Sequence, residues 1–349
     1  MRGLAFAALK QAAAFFFFRS GLLRLWMRWK IRGPLIAVYH RVLDSGSDLS
    51  QDGIVVSTAT FERQLRFLAR HFRMVSLAEA AEAGAVGTCA ITFDDGWADN
   101  HRFAFPILQR LGFPAALFLT TGYLGTSRLF WPERLTFILQ GLKPGEIPDS
   151  LASFLPPECA RCLPGLTGSD GRFWLDRLIE SLKEVPEDKR ENFLNELARL
   201  RKRELLPSET RMLSWDQVRD LHQRGFEIGS HTVNHDLLES VTPEQAFEDM
   251  ARSREYIAQN IGAFPEGFAY PNGDWNPSLA QAAQRAGYRR AVTTDPPWSA
   301  LPKGVEPAFA LPRKNLCESS SRGLFGFSAS IFACESVGFF GWCRAWMGR

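Results

Sequence analysis

Seven short stretches of the chain are apolar with little alternation: PLIAVYH (34–40), TCAITFDD (88–95), FPAALFLTT (113–121), FEIGSHT (226–232), EGFAYPNG (266–273), RRAVTTD (289–295) and AFALPR (308–313). A strand covered on both faces reads this way, because neither set of alternate side chains meets water. Between several of them the pattern is helical, with legible ends. Ser214 and Gln217 make a capping box ahead of WDQVRDLHQRG. Thr242, Pro243 and Gln245 start the next helix with proline at the first helical position, and Asn276 and Pro277 open another. Gly112, Gly225 and Gly287 stand where a left-handed residue closes a helix. Strand and helix in alternation predict a parallel sheet, as a barrel or doubly wound.

The position of the polar residues separates these two. His40, Asp94, Asp95, Thr120, Thr121, His231, Asn272, Asp295 and Arg313 all fall at C-terminal strand ends. In parallel β/α barrels that rim carries the active site, so residues far apart in sequence converge on one mouth. The rhythm breaks at about 127–210, which is rich in Leu and Arg and helical in FWLDRLIESLKE and DKRENFLNELARLRKREL. We read it as a helical insertion over or beside the mouth. The expected organisation is a segment 1–33, a barrel over 34–316 carrying that insertion, and an aromatic-rich segment 317–349.

The segment 1–33 has seven basic residues and no acidic one. Its longest apolar run, Ala12–Phe18, is far short of the ~20 residues that span a bilayer. Lys10 interrupts what a cleavable signal peptide needs. On one continuous helix Arg2, Lys10, Arg24, Arg28 and Arg32 fall on one arc, with Phe15, Phe18, Leu22 and Trp26 away from it. That pattern predicts a helix lying on an anionic membrane surface, and a cytoplasmic protein in peripheral contact with the inner face. The alternative is a helix packed on the protein's own barrel.

The composition, 46% hydrophobic and 23% charged over 349 residues, is globular. A net charge of +3 gives no argument for a nucleic-acid partner. Six scattered cysteines make no disulfide framework, and Cys159 and Cys162 lack the second pair that a structural zinc site needs, so they are expected as a solvent-side loop pair.

The candidate chemistry lies in CAITFDDGWADN (89–100) and GSHTVNH (229–235). Two adjacent carboxylates repel each other, and at the end of a buried strand their natural partner is a cation. His231 and His235, four apart, bring two rings to one side if they sit on a helical turn. One carboxylate and two neutral imidazoles hold a divalent ion and leave positions open for water, as catalytic sites do, while the second carboxylate is free to act as a base. Zinc is the default ion for such donors.

TFDDG followed by SHTVNH resembles the first two motifs of the polysaccharide deacetylase (NodB-homology, carbohydrate esterase) family, over about 34–316 outside the insertion. The resemblance implies a distorted (β/α)7 barrel that removes acetyl groups from glycans. It implies Asp94 as general base and Asp95, His231 and His235 as metal ligands. Two departures stand out. Where the family has Arg-x-Pro-Tyr, this chain reads FAYPNG, with Ala269 in the arginine's place and Pro271 kept; Arg313 in LPRKN is the candidate replacement. No histidine follows His235, whereas the family has a late Leu-x-His that gives the general acid. Tyr39–His40–Arg41 resembles instead a permuted branch acting on poly-N-acetylglucosamine, in which the acid comes first, and implies His40 in that role.

The expected reaction is attack of a metal-bound water on an N-acetyl group, with Asp94 taking a proton, His40 giving one to the amine, and a backbone N–H near Asn272 facing the oxyanion. Trp97, Tyr123, Trp131, Trp275 and Trp298 are candidates to stack on sugar rings. Two other readings remain: a metal amidohydrolase on a small or lipid-linked N-acyl compound, and a barrel that binds glycan without turnover, supported by the missing arginine.

Overall fold

The computed structural model describes residues 2–44, 53–82, 85–126, 128–143, 146–147, 149–168, 170–202, 212–294 and 305–347. It divides into two compact units, Met1–Thr126 with Arg211–Arg349, and Ser127–Thr210.

The first unit is built on strands β1 (Leu35–Tyr39), β2 (Thr88–Phe93), β3 (Ala115–Leu119), β4 (Glu227–Ser230), β5 (Gly267–Ala269), β6 (Arg290–Val292) and β7 (Lys314–Asn315). They lie in the order β7-β1-β2-β3-β4-β5-β6, every pair parallel. Leu311 is bridged to Val292 in β6, and three residues later Lys314 pairs with Ala37 in β1. One segment thus joins the two ends of the sheet, which curls into a distorted barrel. All strands run the same way, so their C-terminal ends form one rim.

β1, β2 and β3 are buried at every position, as their unbroken apolar runs require. Ile36, Ala90, Ala116, Phe118, Ala269 and Val292 pack together on one face. Their sequence neighbours Leu35, Ala37, Ile91, Phe93 and Leu117 belong to a second cluster that includes apolar side chains of the surrounding helices. The expected helix ends are present. Ser214 and Thr242 both make complete capping boxes, and Asn276 caps through Leu279 N–H at 3.0 Å. Gly112, Gly225 and Gly287 all have positive φ.

The last strand is displaced from its expected position. Pro307–Phe309 is a 3-10 turn, and regular pairing begins only at Lys314. Leu311 N–H donates to Ala291 O at 3.0 Å, but the next acceptor on β6, Thr293 O, is taken by the side-chain Nε of Arg313 at 3.1 Å, and pairing with β6 ends there.

The second unit contains helices Trp131–Leu139, Gly171–Lys183 and Glu187–Arg201 around its own core of Leu135, Leu178, Phe193 and Leu197. Cys159 and Cys162 are buried in that core rather than in a solvent-side loop. Burial pushes the Cys159 thiol up to about 11. In the first unit, Gly125 N–H donates to Leu213 O at 2.8 Å, so the chain leaves and re-enters it at adjacent points.

The N-terminal segment is not one helix. Arg2–Arg19 and Leu22–Lys30 are separate, because Gly21 takes a left-handed φ of 78° between them. The basic arc is therefore broken. Lys10 turns to the protein and pairs with Glu335 at 2.8 Å. The aromatic face expected opposite the arc is split as well: Trp26 packs on Phe339 at 5.1 Å and Phe18 on Phe67 at 6.0 Å, whereas Phe15 and Leu22 are exposed.

Candidate active site

Asp94 and Asp95 follow β2 at the rim. Asp94 N–H donates to Tyr39 O at 3.1 Å, which holds the strand end against β1. Asp95 and Gly96 then take left-handed φ values of 75° and 89°. Asp is among the few residues besides Gly that tolerate this region. The turn sends the two carboxylates to different partners, which relieves their repulsion.

Asp94 is gripped by Arg313, whose Nη1 and Nη2 donate to its two carboxylate oxygens at 2.7 Å each. The guanidinium is itself fixed, Nε donating to Thr293 O at 3.1 Å and Nη1 to Thr92 Oγ1 at 3.2 Å. Such bidentate geometry is the strong form of the ion pair. Burial alone would push the Asp94 carboxyl up, but Arg313, with the His231 and His40 rings, outweighs it and holds the group well below the usual carboxylate range.

Asp95 faces the histidines. Its Oδ2 accepts from Trp97 Nε1 at 2.8 Å, and its Oδ1 lies 3.7 Å from His231 Nε2 and 3.6 Å from His235 Nε2. His231 Nδ1 is 2.8 Å from Ala269 O. A carbonyl only accepts, so Nδ1 carries a proton and Nε2 is the nitrogen that faces Asp95.

His231 and His235 lie on no helix. Thr232 and His235 have φ values of 68° and 64°, and the loop between them is held by one internal bond and by the helix Pro243–Ile261. His235 N–H donates to Thr232 Oγ1 at 2.8 Å, Ser253 Oγ to Thr232 O at 3.1 Å, and Val233 N–H to Asp249 at 3.0 Å. The rings meet edge to face with centroids 4.8 Å apart. Burial, and then the adjacent His231 ring, lower His235 to about 4, so it is a neutral imidazole at pH 7.

One donor atom each from Asp95, His231 and His235 lies within 4.8 Å of the others. Ligand bonds of about 2.1 Å at tetrahedral angles separate donor atoms by about 3.4 Å, near the two separations at Asp95. The Trp97 and Ala269 contacts fix the orientation of Asp95 and His231, as outer partners do around a bound ion. The residues present fit a divalent ion.

His40 ends β1. Among the described residues its buried Nδ1 has no hydrogen-bond partner, and the ring helps lower both Asp94 and His235. Pro271 and Asn272 form a 3-10 turn after β5, with Asn272 exposed at φ 59° and its carbonyl accepting from Thr294 Oγ1 at 2.8 Å. Gly273 completes the turn at φ 81°, where a Cβ would lie 2.0 Å from Thr294 Oγ1. Asp94, Asp95, His231, His235, Arg313 and His40 are therefore brought together.

The aromatic candidates fare differently. Trp97 is fully buried, its indole committed to Asp95 and its face covered by Arg41 at 4.4 Å, so it cannot stack on a sugar. Tyr123 is also buried, Trp275 stacks on Tyr270 at 6.4 Å, and Trp131 meets Arg190 at 4.8 Å in the second unit. Trp298 and Asp295 lie outside the described residues. Sequence reasoning missed the hydrogen bond from Trp97 and the carbonyl of Ala269. The spacing of Trp97, two residues after Asp95, was the available signal for the first; a backbone carbonyl leaves none.

The parallel barrel thus brings paired carboxylates and two imidazoles together at its rim. The family profile described as polysaccharide deacetylase matches residues 82–160 and 173–291, more than half of the chain. The chain belongs to the polysaccharide deacetylase family. The curated Bacillus subtilis protein YxkH, provisionally named a polysaccharide deacetylase, is 31% identical over 114 residues; the match spans 33% of this chain and 40% of that protein's length. Among solved structures, the Streptococcus pyogenes deacetylase PplD in complex with acetate aligns with a TM-score of 0.54 at 18% identity, over 88% of this chain and 99% of that one. IcaB from Ammonifex degensii aligns with a TM-score of 0.51 at 19% identity, over 88% and 97%. At these identities the two structures speak for the fold alone.

Proposed function

We propose that this protein hydrolyses N-acetyl groups of a glycan, with a divalent ion, zinc by preference, held by Asp95, His231 and His235. The observation that carries the reading is the division of labour between adjacent carboxylates: Asp95 faces two imidazoles, and Asp94 is held apart by Arg313. When bound, the ion supplies a Lewis acid that polarises the acetyl carbonyl and acidifies a water. Asp94, kept ionised and oriented by Arg313, takes the proton as the water oxygen attacks the carbonyl carbon. The Asn272 N–H is the backbone donor assigned to the developing oxyanion, since Pro271 has none and Gly273 N–H is given to Tyr270 O. His40, protonated, gives its proton to the amine nitrogen as the C–N bond breaks, leaving acetate and a free amine.

Arg313 also weakens the case for a barrel without turnover, since a guanidinium meets Asp94 although Ala269 stands in the motif. Acetate release from N-acetylated chito-oligomers, measured beside release from small N-acyl amino acids, tests the reading. Chelation should stop release and zinc restore it, with the oligomers preferred. Release from the small amides alone would favour an amidohydrolase, and no release from any substrate with metal bound would overturn the proposal.

A further inference from the structure

The first helix, Arg2–Arg19, is apolar on two sides. Its inner side carries buried Ala14 and Phe17, the latter packed on Phe339 at 4.7 Å, and Gln11, which donates to Ser328 Oγ at 2.9 Å. Its outer side carries Phe6, Leu9, Phe15 and Phe16, each between 57% and 70% exposed. Ala5, Ala8 and Ala12 fill the places between them and are exposed too. Positions 5, 8, 9, 12, 15 and 16 follow helical spacing, so they form one continuous stripe.

The second helix extends this surface. Leu23 and Trp26 point inward, while Leu22, Leu25 and Trp29 form an exposed ridge. Arg24 and Arg28 are exposed beside that ridge. Lys30 lies 4.1 Å over the Trp29 ring. Trp346, 77% exposed, is tied to the same place by stacking on Trp342, whose ring lies 5.7 Å from the same Lys30. Exposed large apolar side chains concentrated on two successive helices mark an interaction site rather than chance exposure.

Charge selects the partner. Residues 2–33 contain no carboxylate. Two copies meeting on this face would bring Arg24 and Arg28 against the same arginines with nothing to neutralise them. An anionic bilayer accepts both parts at once, apolar side chains below the headgroups and guanidinium groups among the phosphates, with Trp and Lys at the boundary. No described helix is long and apolar enough to cross a membrane. We infer that the outer faces of the two N-terminal helices, with Trp346, dock this protein in the plane of an anionic lipid surface. The docking face is that of Phe6, Leu9, Phe15 and Phe16; of the aromatic face that a single continuous helix would have presented it keeps Phe15 and Leu22, while Phe18 and Trp26 pack inward.

The test is sedimentation of the full chain with vesicles of phosphatidylcholine and phosphatidylglycerol, against phosphatidylcholine alone, at low and high salt. The protein should pellet with the anionic vesicles at low salt and be released by salt. Leu9→Glu with Phe16→Glu should lower partitioning by at least about tenfold, and so should Arg24→Glu with Arg28→Glu. Both pairs are exposed, so the melting temperature should not move, which separates lost docking from lost folding. Failure of the native chain to pellet at low salt would overturn the inference. So would partitioning that both double variants leave intact, or a dimer in solution that Leu9→Glu with Phe16→Glu dissolves while vesicles bind nothing.

Discussion

Replacing Arg313 by Met removes the guanidinium that neutralises Asp94 and keeps much of the stem. The two side chains are 0% and 4% exposed, so water cannot screen the carboxylate left behind. Losing one partner of a buried pair costs about 3–5 kcal/mol, and that is the expected loss of unfolding free energy at pH 7. The pH dependence gives a second reading. In the native protein Asp94 titrates below its unfolded value of about 3.9, so its contribution is complete above that value and is lost as pH falls through the folded one. In Arg313→Met burial acts without its main opponent and the folded value rises above the unfolded one. The sign then reverses: there is no penalty while the carboxyl is protonated in both states, and stability is lost as pH rises towards the folded value. The gap between native and variant should therefore shrink from pH 7 to pH 4. Adding Asp94→Asn removes the stranded charge and should recover part of the loss. The assay is urea unfolding of the four proteins of the cycle, stripped with chelator so that ion binding adds nothing. The expected coupling is on the order of 3 kcal/mol. Additivity within about 0.5 kcal/mol, or a gap independent of pH, would refute the argument.

Trp97→Phe removes the donor to Asp95 Oδ2 while keeping an aromatic ring, and should weaken ion binding about 10–100-fold by titration calorimetry, with little change in the fold. His40→Ala should slow N-acetyl substrates strongly and spare activated esters, whose leaving groups need little protonation, with the bound ion retained; equal losses on both substrates would show that His40 does not act as the acid.

What could be read from the sequence follows from where side chains carry the information. β1, β2 and β3 were legible because both faces are buried and the residues say so. The proximity of Asp95, His231 and His235 was legible because TFDDG and SHTVNH each place their donors after an apolar strand run in a parallel fold. The break at Gly21 was hidden by helix-forming residues on both sides, and it changed which face of the first helix meets solvent. The last strand was misplaced because its apolar run continues through a 3-10 turn that Pro307 starts and Pro312 follows. The HxxxH spacing suggested a helical turn, while the loop is set by Thr232 and His235 in left-handed conformations that depend on Ser253 and Asp249. The burial of Cys159 and Cys162 depends on packing within the second unit, which two residues in a loop-like sequence do not reveal. The contact between Asp94 and Arg313 spans 219 positions and exists only because the chain after Leu311 joins β6 to β1.

The claim on which the functional reading turns is that adjacent carboxylates do different work. Metal content and acetate release, measured on the same preparations of native protein, Asp94→Asn, Asp95→Asn and His231→Ala, test it directly. The account predicts one divalent ion per chain in the native protein and in Asp94→Asn, with release in the latter down by about 10²–10⁴-fold, and loss of the ion in Asp95→Asn and His231→Ala. A stoichiometric ion in His231→Ala, or an Asp94→Asn protein that loses its ion while Asp95→Asn keeps one, would contradict it.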